Sequence, residues 1–266
     1  MDLRDKNLAV IGAGNIGHIL LERLRDTGVP ADHMVICDSD KSRANAAAVK
    51  FGVRPVLLAD EGVCAADAIL IAVSPKSVSD VLHTFADWVC RCRLVISFAA
   101  AVPLANIDAL LHPGTPVARI MPNAPSLIGQ GMNPVAYGSS MTPQARELVE
   151  AILAVLGETI VVSDDQMNWC VGLTGAAMRS LLPALEGMTR AGIEAGLPEK
   201  DARRVAAQVM KGTAVLALHT DLSFDEIKAL TPMQTVDEEE VSQVFHDSAR
   251  GAQEKIAQFQ KKVIGI

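Results

Sequence analysis

The chain has 266 residues, half of them hydrophobic and 21% charged, enough to bury a full core in one large domain or two. Its net charge of −7 is spread along the chain and argues against a nucleic-acid partner, which would favour a basic face. The first ten residues carry Asp2, Arg4, Asp5 and Lys6, unlike a signal peptide, and no apolar run approaches the roughly 18 residues of a membrane span, so no membrane partner is expected. Leu8 to Ile11 reads as a buried parallel strand, followed by Gly12-Ala13-Gly14-Asn15-Ile16-Gly17 and a helical stretch from His18 to Leu24. Further strands are expected at Met34–Cys37, Pro55–Leu58, Ala68–Val73, Leu94–Phe98 and Val117–Met121. Helices are expected between them at Lys41–Lys50, Ser77–Val89 and Leu104–Leu111, and Gly52 ends the first of these three. Strands alternating with such helices mean βαβ units and a parallel sheet. Thr142-Pro143 starts a helix that runs to Leu156 and stops at Gly157; a last strand, Glu158–Val162, closes the sheet.

From about Asp165 the period changes. Two long helices, Gln166–Ala195 and Lys200–His219, flank Gly196-Leu197-Pro198, and Pro183 predicts a kink or break in the first. Ser223-Phe224-Asp225-Glu226 is a capping box. Asp237 to Gln260 opens on acids and closes near Lys261-Lys262, as the helix dipole favours. The expected fold class is α/β: an N-terminal Rossmann-type parallel sheet domain, residues 1–164, then an all-helical domain, residues 165–266. The apolar stripe around Val205, Val209, Leu216 and Leu218 is broader than one face needs. A homodimer or larger homo-oligomer through these helices is therefore expected.

The strand, glycine loop and helix are what a dinucleotide pyrophosphate needs. Gly12 permits the tight turn, Gly14 lets the backbone approach the phosphates, and Gly17 lets helix and strand pack closely. The N-terminus of the helix that follows presents free N–H groups to the anion, and Asn15 and Ile16 lie in the loop that leads into it. Asp38 ends the second strand about twenty residues on, as the fingerprint expects. Its carboxylate would accept hydrogen bonds from ribose hydroxyls and repel a 2′-phosphate, which favours NADH, while Lys41 and Arg43 could offset this. The strand from Ala68 ends in Val73-Ser74-Pro75-Lys76, at the side of the sheet that faces a nucleotide. Asn123 sits between two prolines in a stiff turn, with an amide able to donate and accept. Gly12, Gly14, Asn15, Ile16, Gly17, Asp38, Val73, Ser74, Pro75 and Asn123 are thus the cofactor-binding candidates. The five cysteines (Cys37, Cys64, Cys90, Cys92, Cys170) lack metal or disulfide spacing, so reduced thiols in a cytoplasmic protein are expected, with no metal.

The glycine loop, Val73-Ser74-Pro75-Lys76, the Ser97–Val102 segment and Arg119-Ile120-Met121-Pro122-Asn123-Ala124-Pro125 through Met132 together resemble the pyrroline-5-carboxylate reductase family. Gly192-Ile193-Glu194-Ala195-Gly196-Leu197-Pro198 is similar to the family's segment between two dimer helices. The resemblance implies a Rossmann domain, a helical domain that interlocks with a partner subunit, and NAD(P)H-dependent reduction of a small-molecule cyclic imine, 1-pyrroline-5-carboxylate, to proline.

The departures fall where the substrate should bind. The family's Ser-Gly-Ser-Gly-Pro-Ala turn is Thr174-Gly175-Ala176-Ala177-Met178-Arg179 here, and its Ser-Pro-Gly-Gly-Thr-Thr loop is Thr231-Pro232-Met233-Gln234-Thr235-Val236. The resemblance leaves Thr174, Gly175 and Thr231 as substrate-binding candidates and Thr235, one residue before the family's last threonine, as the catalytic one. Arg179 is a further substrate candidate, since a guanidinium can hold a carboxylate bidentately. Ser74 stands where the family has lysine, and Ala101 where glycine is usual. A reductase of another imine or oxo substrate, or a silent nucleotide binder, remains open. Residues 172–196 contain no lysine, which argues against a hydroxyacid dehydrogenase.

Overall fold

The computed structural model describes residues 1–58, 60–86 and 94–264. The end of the helix expected at Ser77–Val89, together with Cys90 and Cys92, lies outside the described residues. The chain divides into two compact units, residues 1–175 with 251–266, and residues 176–250.

The first unit is built on a sheet of β1 (Leu8–Ile11), β2 (Met34–Cys37), β3 (Arg54–Pro55), β4 (Ala68–Ile71), β5 (Val95–Ser97), β6 (Val117–Ile120), β7 (Gly131–Tyr137) and β8 (Gly157–Val161). Their order is β3-β2-β1-β4-β5-β6-β7-β8. β1 to β6 run parallel, β7 is antiparallel to β6, and β8 follows β7. The connecting helices are α1 (Asn15–Asp26), α2 (Lys41–Phe51), α3 (Glu61–Cys64), α4 (Val78–Ala86), α5 (Leu104–Asp108), α6 (Pro143–Ala154) and α7 (Met167–Cys170). Every residue of β1, β2, β4 and β6 is buried, which is why β1, β2 and β4 read as unbroken apolar runs rather than alternating ones, while β6 carries the buried Arg119. Leu8 and Val10 pack on one side with Leu20, Leu21 and Leu24 of α1; Ala9 and Ile11 pack on the other with Val78 and Leu82 of α4. Each fully buried Leu, Ile or Val contributes about 1.5–3 kcal/mol. β1 is the turning point of the strand order. The chain leaves it on opposite sides toward β2 and β4, which opens a crevice above its C-terminal end.

Three expectations change. β7 was not anticipated, because Asn133 and Pro134 interrupt its apolar run; Asn133 is nevertheless fully buried, donating to the Glu158 carbonyl and accepting from the Ser126 hydroxyl. β3 comprises Arg54–Pro55 rather than Pro55–Leu58, which leaves Leu57 and Leu58 beyond the strand. The helix expected over Gln166–Ala195 is α7, a wide π-type turn over Val171–Ala176, and α8 (Ala177–Glu194), which runs on through Pro183. Met167 and Cys170 pack in the core with Ile69 and Ile71, so the compact units part after Gly175, later in the chain than the period change at residue 165.

In the second unit, α8 and α9 (Glu199–His219) form a helical hairpin. Gly196, at φ +91°, turns the chain, and Leu197 N–H returns to the Gly192 carbonyl at 3.1 Å. A Cβ on Gly192 would lie 2.8 Å from that of Ala202, so the hairpin closes on small residues. Among the described residues of α8, α9 and α10 (Phe224–Ala229), only Ala202 and Ala206 are buried; Leu181, Val205, Val209 and Leu218 stay exposed. α11 (Glu238–Ile264) begins in the second unit and ends in the first.

Candidate functional site

The turn out of β1 is fixed by glycines with three different duties. Gly12 has φ +111°, and a Cβ there would lie 2.6 Å from the Ala72 carbonyl oxygen and 2.9 Å from the Val73 nitrogen. A Cβ on Gly17 would collide with the carbonyl oxygen of Gly12, whereas one on Gly14 would meet nothing within 4 Å. The first intrahelical bond of α1 is His18 N–H to the Gly14 carbonyl. The N–H groups of Asn15, Ile16 and Gly17 therefore precede the helix ladder and are its free donors. Gly12 and Gly17 are thus required by the protein itself, and Gly14 faces open space.

That space is part of a cavity of about 600 Å³. Of the expected cofactor residues, Gly12, Gly14, Asp38, Val73 and Ser74 line it; Asn15, Ile16 and Gly17 begin the adjoining helix, and Pro75 the turn after Ser74. Ser74 and Ser77 hydroxyls lie 3.0 Å apart. Sequence reasoning missed Leu57 and Leu58 on one wall and Asp80, Val81 and Thr84 of α4 on another. The available signal was the amphipathic period of α4: Val78 and Leu82 take the core, leaving Val81 and Thr84 on the neighbouring stripe. The opening beside Gly14, the free N–H donors and apolar walls next to an acidic residue fit a dinucleotide's adenosine half. The Asp38 side chain is only 6% exposed. Its Oδ2 accepts Ala13 N–H at 2.8 Å, and its Oδ1 accepts Asp40 N–H at 2.9 Å and Arg43 Nη2–H at 3.0 Å.

Asn123 does not line the cavity. Its Oδ1 accepts Met132 N–H at 3.2 Å and its Nδ2 donates to the Thr174 carbonyl at 3.3 Å, tying the Met121-Pro122-Asn123 turn to the π-type turn. Thr174 is buried and its hydroxyl donates to the Cys170 carbonyl at 2.8 Å, while Gly175 has open space where its Cβ would be. Ala101 adopts φ +62°, so the glycine-type conformation persists there with alanine in place. Arg119 is almost wholly buried on β6 and donates from Nη1 to Asp164 Oδ1 at 2.7 Å.

The second unit carries Arg179, Thr231 and Thr235, all exposed. Asp237, rather than Thr235, caps α11 by accepting Glu240 N–H, and Ser223 caps α10. Among the described residues, neither threonine hydroxyl is tied up as a helix cap.

The described cysteines are all held as thiols. Burial, with the charge of Asp38 behind it, pushes Cys37 up to about 11; burial also raises Cys64 and Cys170. The native state keeps a proton on Cys37 that the unfolded chain releases, so this group's contribution to stability is lost as pH rises from about 9 to about 11. Iodoacetamide at pH 8 should leave Cys37 unlabelled in the folded protein and modify it after unfolding. Rapid labelling of the native protein, read by mass spectrometry, would contradict the assignment. Among the described residues no group of His, Cys, Asp or Glu is placed to hold a metal ion, and no helix is long and apolar enough to cross a membrane.

Residues 7–101 match the family described as NADP oxidoreductase coenzyme F420-dependent, and residues 164–258 match pyrroline-5-carboxylate reductase dimerisation. The chain is 30% identical over 217 residues to the pyrroline-5-carboxylate reductase of Mycobacterium tuberculosis, covering 79% of this chain and 73% of that one. It is 28% identical over 229 residues to that of Methanosarcina acetivorans, covering 85% and 84%. The fold is that of Plasmodium falciparum pyrroline carboxylate reductase with NADP bound, at a TM-score of 0.84, 16% identity, and coverage of 97% of this chain and 100% of that one. A glycine loop over a nucleotide-sized cavity, an open-faced helical hairpin and these likenesses agree. The chain belongs to the pyrroline-5-carboxylate reductase family of NAD(P)H-dependent oxidoreductases acting on C=N bonds.

Proposed function

We propose that the protein reduces 1-pyrroline-5-carboxylate to proline, as a homodimer or larger homo-oligomer in the cytoplasm, where its thiols stay reduced. The observation that carries this is the glycine loop of residues 12–17 opening onto the 600 Å³ cavity, in a chain of this family. NAD(P)H supplies the hydride when bound. The N–H groups of Asn15, Ile16 and Gly17 hold the pyrophosphate, with Val73, Ser74 and Pro75 flanking it. Asp38 accepts from the ribose hydroxyls, which favours NADH. Asn123 acts by fixing Thr174 and Gly175, whose backbone holds the substrate carboxylate; Thr231 and Arg179 are the substrate-binding residues of the second unit. Thr235 holds a hydrogen bond at the imine nitrogen. Such positioning needs no titrating side chain.

A second reading, a different cyclic imine, draws on the altered loops: Met233 and Gln234 replace a glycine pair, and Arg179 adds a cation. Purified protein supplied with 1-pyrroline-5-carboxylate should consume NADH or NADPH. Protein that binds either cofactor but turns over only other imines in a panel would favour the second reading, and no turnover with any would leave a silent binder. Asp38→Ser should move the NADPH/NADH ratio of kcat/KM toward NADPH by roughly tenfold, the worth of one charged contact; an unchanged ratio would mean that Asp38 does not face the ribose.

A further inference from the structure

The turn that carries Asn123 is tied to the sheet by polar groups rather than by apolar packing. Of the short helical turn Ala124–Ile128 that follows Asn123, only Ser126 is buried, while Leu127 and Ile128 are exposed. The Ser126 hydroxyl donates to Asn133 Oδ1 at 2.9 Å. Asn133, fully buried on β7 as Ser126 is beneath its turn, donates from Nδ2 to the Glu158 carbonyl of β8 at 3.1 Å. Ser126 N–H in turn donates to the Asn123 carbonyl at 3.0 Å. Gly131 makes room for both side chains: a Cβ there would collide with the Ser126 hydroxyl oxygen and lie 3.0 Å from Asn123 Oδ1. The bonds thus run without a gap from the Glu158 carbonyl through Asn133, Ser126 and Asn123 to the Thr174 carbonyl, and every member belongs to the first unit.

We propose that Ser126 and Asn133 are positioning residues for imine reduction: they set the orientation of Asn123 and, through it, of the wide turn Val171–Ala176; this rests on the reading of Thr174 and Gly175 as the substrate turn. Each amide fits in one sense only. The Glu158 and Thr174 carbonyls can only accept and Met132 N–H can only donate, so a flip of either Asn133 or Asn123 would set like groups against each other. The Ser126–Asn133 pair is stiff, because a broken bond would leave a buried group with no water to replace its partner. The turn it steers is a π-type irregularity, a kind of structure that recurs at functional sites. The Thr174 carbonyl and the Gly175 N–H share one planar peptide. Holding the first therefore sets the backbone at Gly175, where no side chain stands between backbone and ligand.

The test compares the full chain with Ser126→Ala and with Ser126→Ala combined with Asn133→Leu. The single variant leaves the Asn133 amide oxygen buried and unpaired and should lower the melting temperature; the double variant removes both polar groups and should recover it. In both, the KM for 1-pyrroline-5-carboxylate should rise roughly tenfold, the worth of one hydrogen bond, with NADH and NADPH dissociation constants within about twofold of wild type. Hydrogen exchange at Met132 and across Val171–Ala176 should quicken roughly tenfold in both, while β1 and β4 stay as protected as before. A KM and exchange rates that return to wild type with the melting temperature in the double variant, or that never move in the single one, would show a merely structural pair and overturn the proposal. A parallel loss of dinucleotide affinity would overturn it too. A wild-type protein that turns over no cyclic imine would overturn the substrate reading, and hydrogen exchange then decides by itself whether the pair steers the turn.

Discussion

Gly14→Val is expected to fold as the wild type does and to lose dinucleotide binding by roughly 100-fold or more, the worth of two charge-assisted hydrogen bonds. Gly14 has φ −86° and ψ −166°, ordinary extended backbone that valine adopts, and its Cβ would meet nothing within 4 Å. The added isopropyl group would instead occupy the approach to the free N–H groups at the start of α1, where the pyrophosphate must come close. Gly12 and Gly17 behave oppositely: their missing side chains make room for Ala72 and for the turn itself, so alanine at either position should lower the melting temperature first. A thermal melt paired with calorimetry separates the two outcomes. Gly14→Val that binds NADH and NADPH as tightly as wild type would remove the loop from the cofactor site.

Asp164→Ala should destabilise the first unit by about 3–5 kcal/mol, because it strands a buried cation. Arg119 is 1% exposed, and its Nε and Nη2 have no hydrogen-bond partner among the described residues. Asp164 is the carboxylate that compensates it, while its other oxygen accepts Leu104 N–H at 2.9 Å at the start of α5. The aspartate thus ties β6, α5 and the segment after β8 together. Arg119→Met combined with Asp164→Ala removes both charges and should recover most of the loss, since a buried pair replaced by apolar groups is often neutral. Urea denaturation of the single and double variants measures this. Equal losses in Asp164→Ala and the double variant would show that the charge is not what matters.

The cofactor half was legible because its requirements are local. A buried parallel strand must be apolar on both faces, and a glycine loop must have glycine where backbone crosses backbone, so Leu8 to Gly17 declares itself. β7 did not, because its polar Asn133 is satisfied by partners remote in sequence, Ser126 and Glu158. The π-type turn at Val171–Ala176 depends on such a partner too, since Asn123 takes the Thr174 carbonyl; periodicity alone predicts an unbroken helix there. The acidic residue at position 38 was readable, but its occupation by Ala13 and Arg43 was not, because hydrogen-bond direction follows from geometry.

The return of α11 to the first unit has a bearing on how the chain reaches its native state. Asn168 donates to Gln260 at 2.8 Å, and Val263 packs on the core beside Met167. The first unit is therefore assembled from two stretches separated by 75 residues, 176–250. During synthesis the sheet emerges early and waits for its last piece until the helical insertion has been made. Partial chains would carry an incompletely covered core and an apolar helical face at once, the combination that invites aggregation. α11 is thus a timing element: native closure of the first unit waits until the helical segment 176–250 has been made.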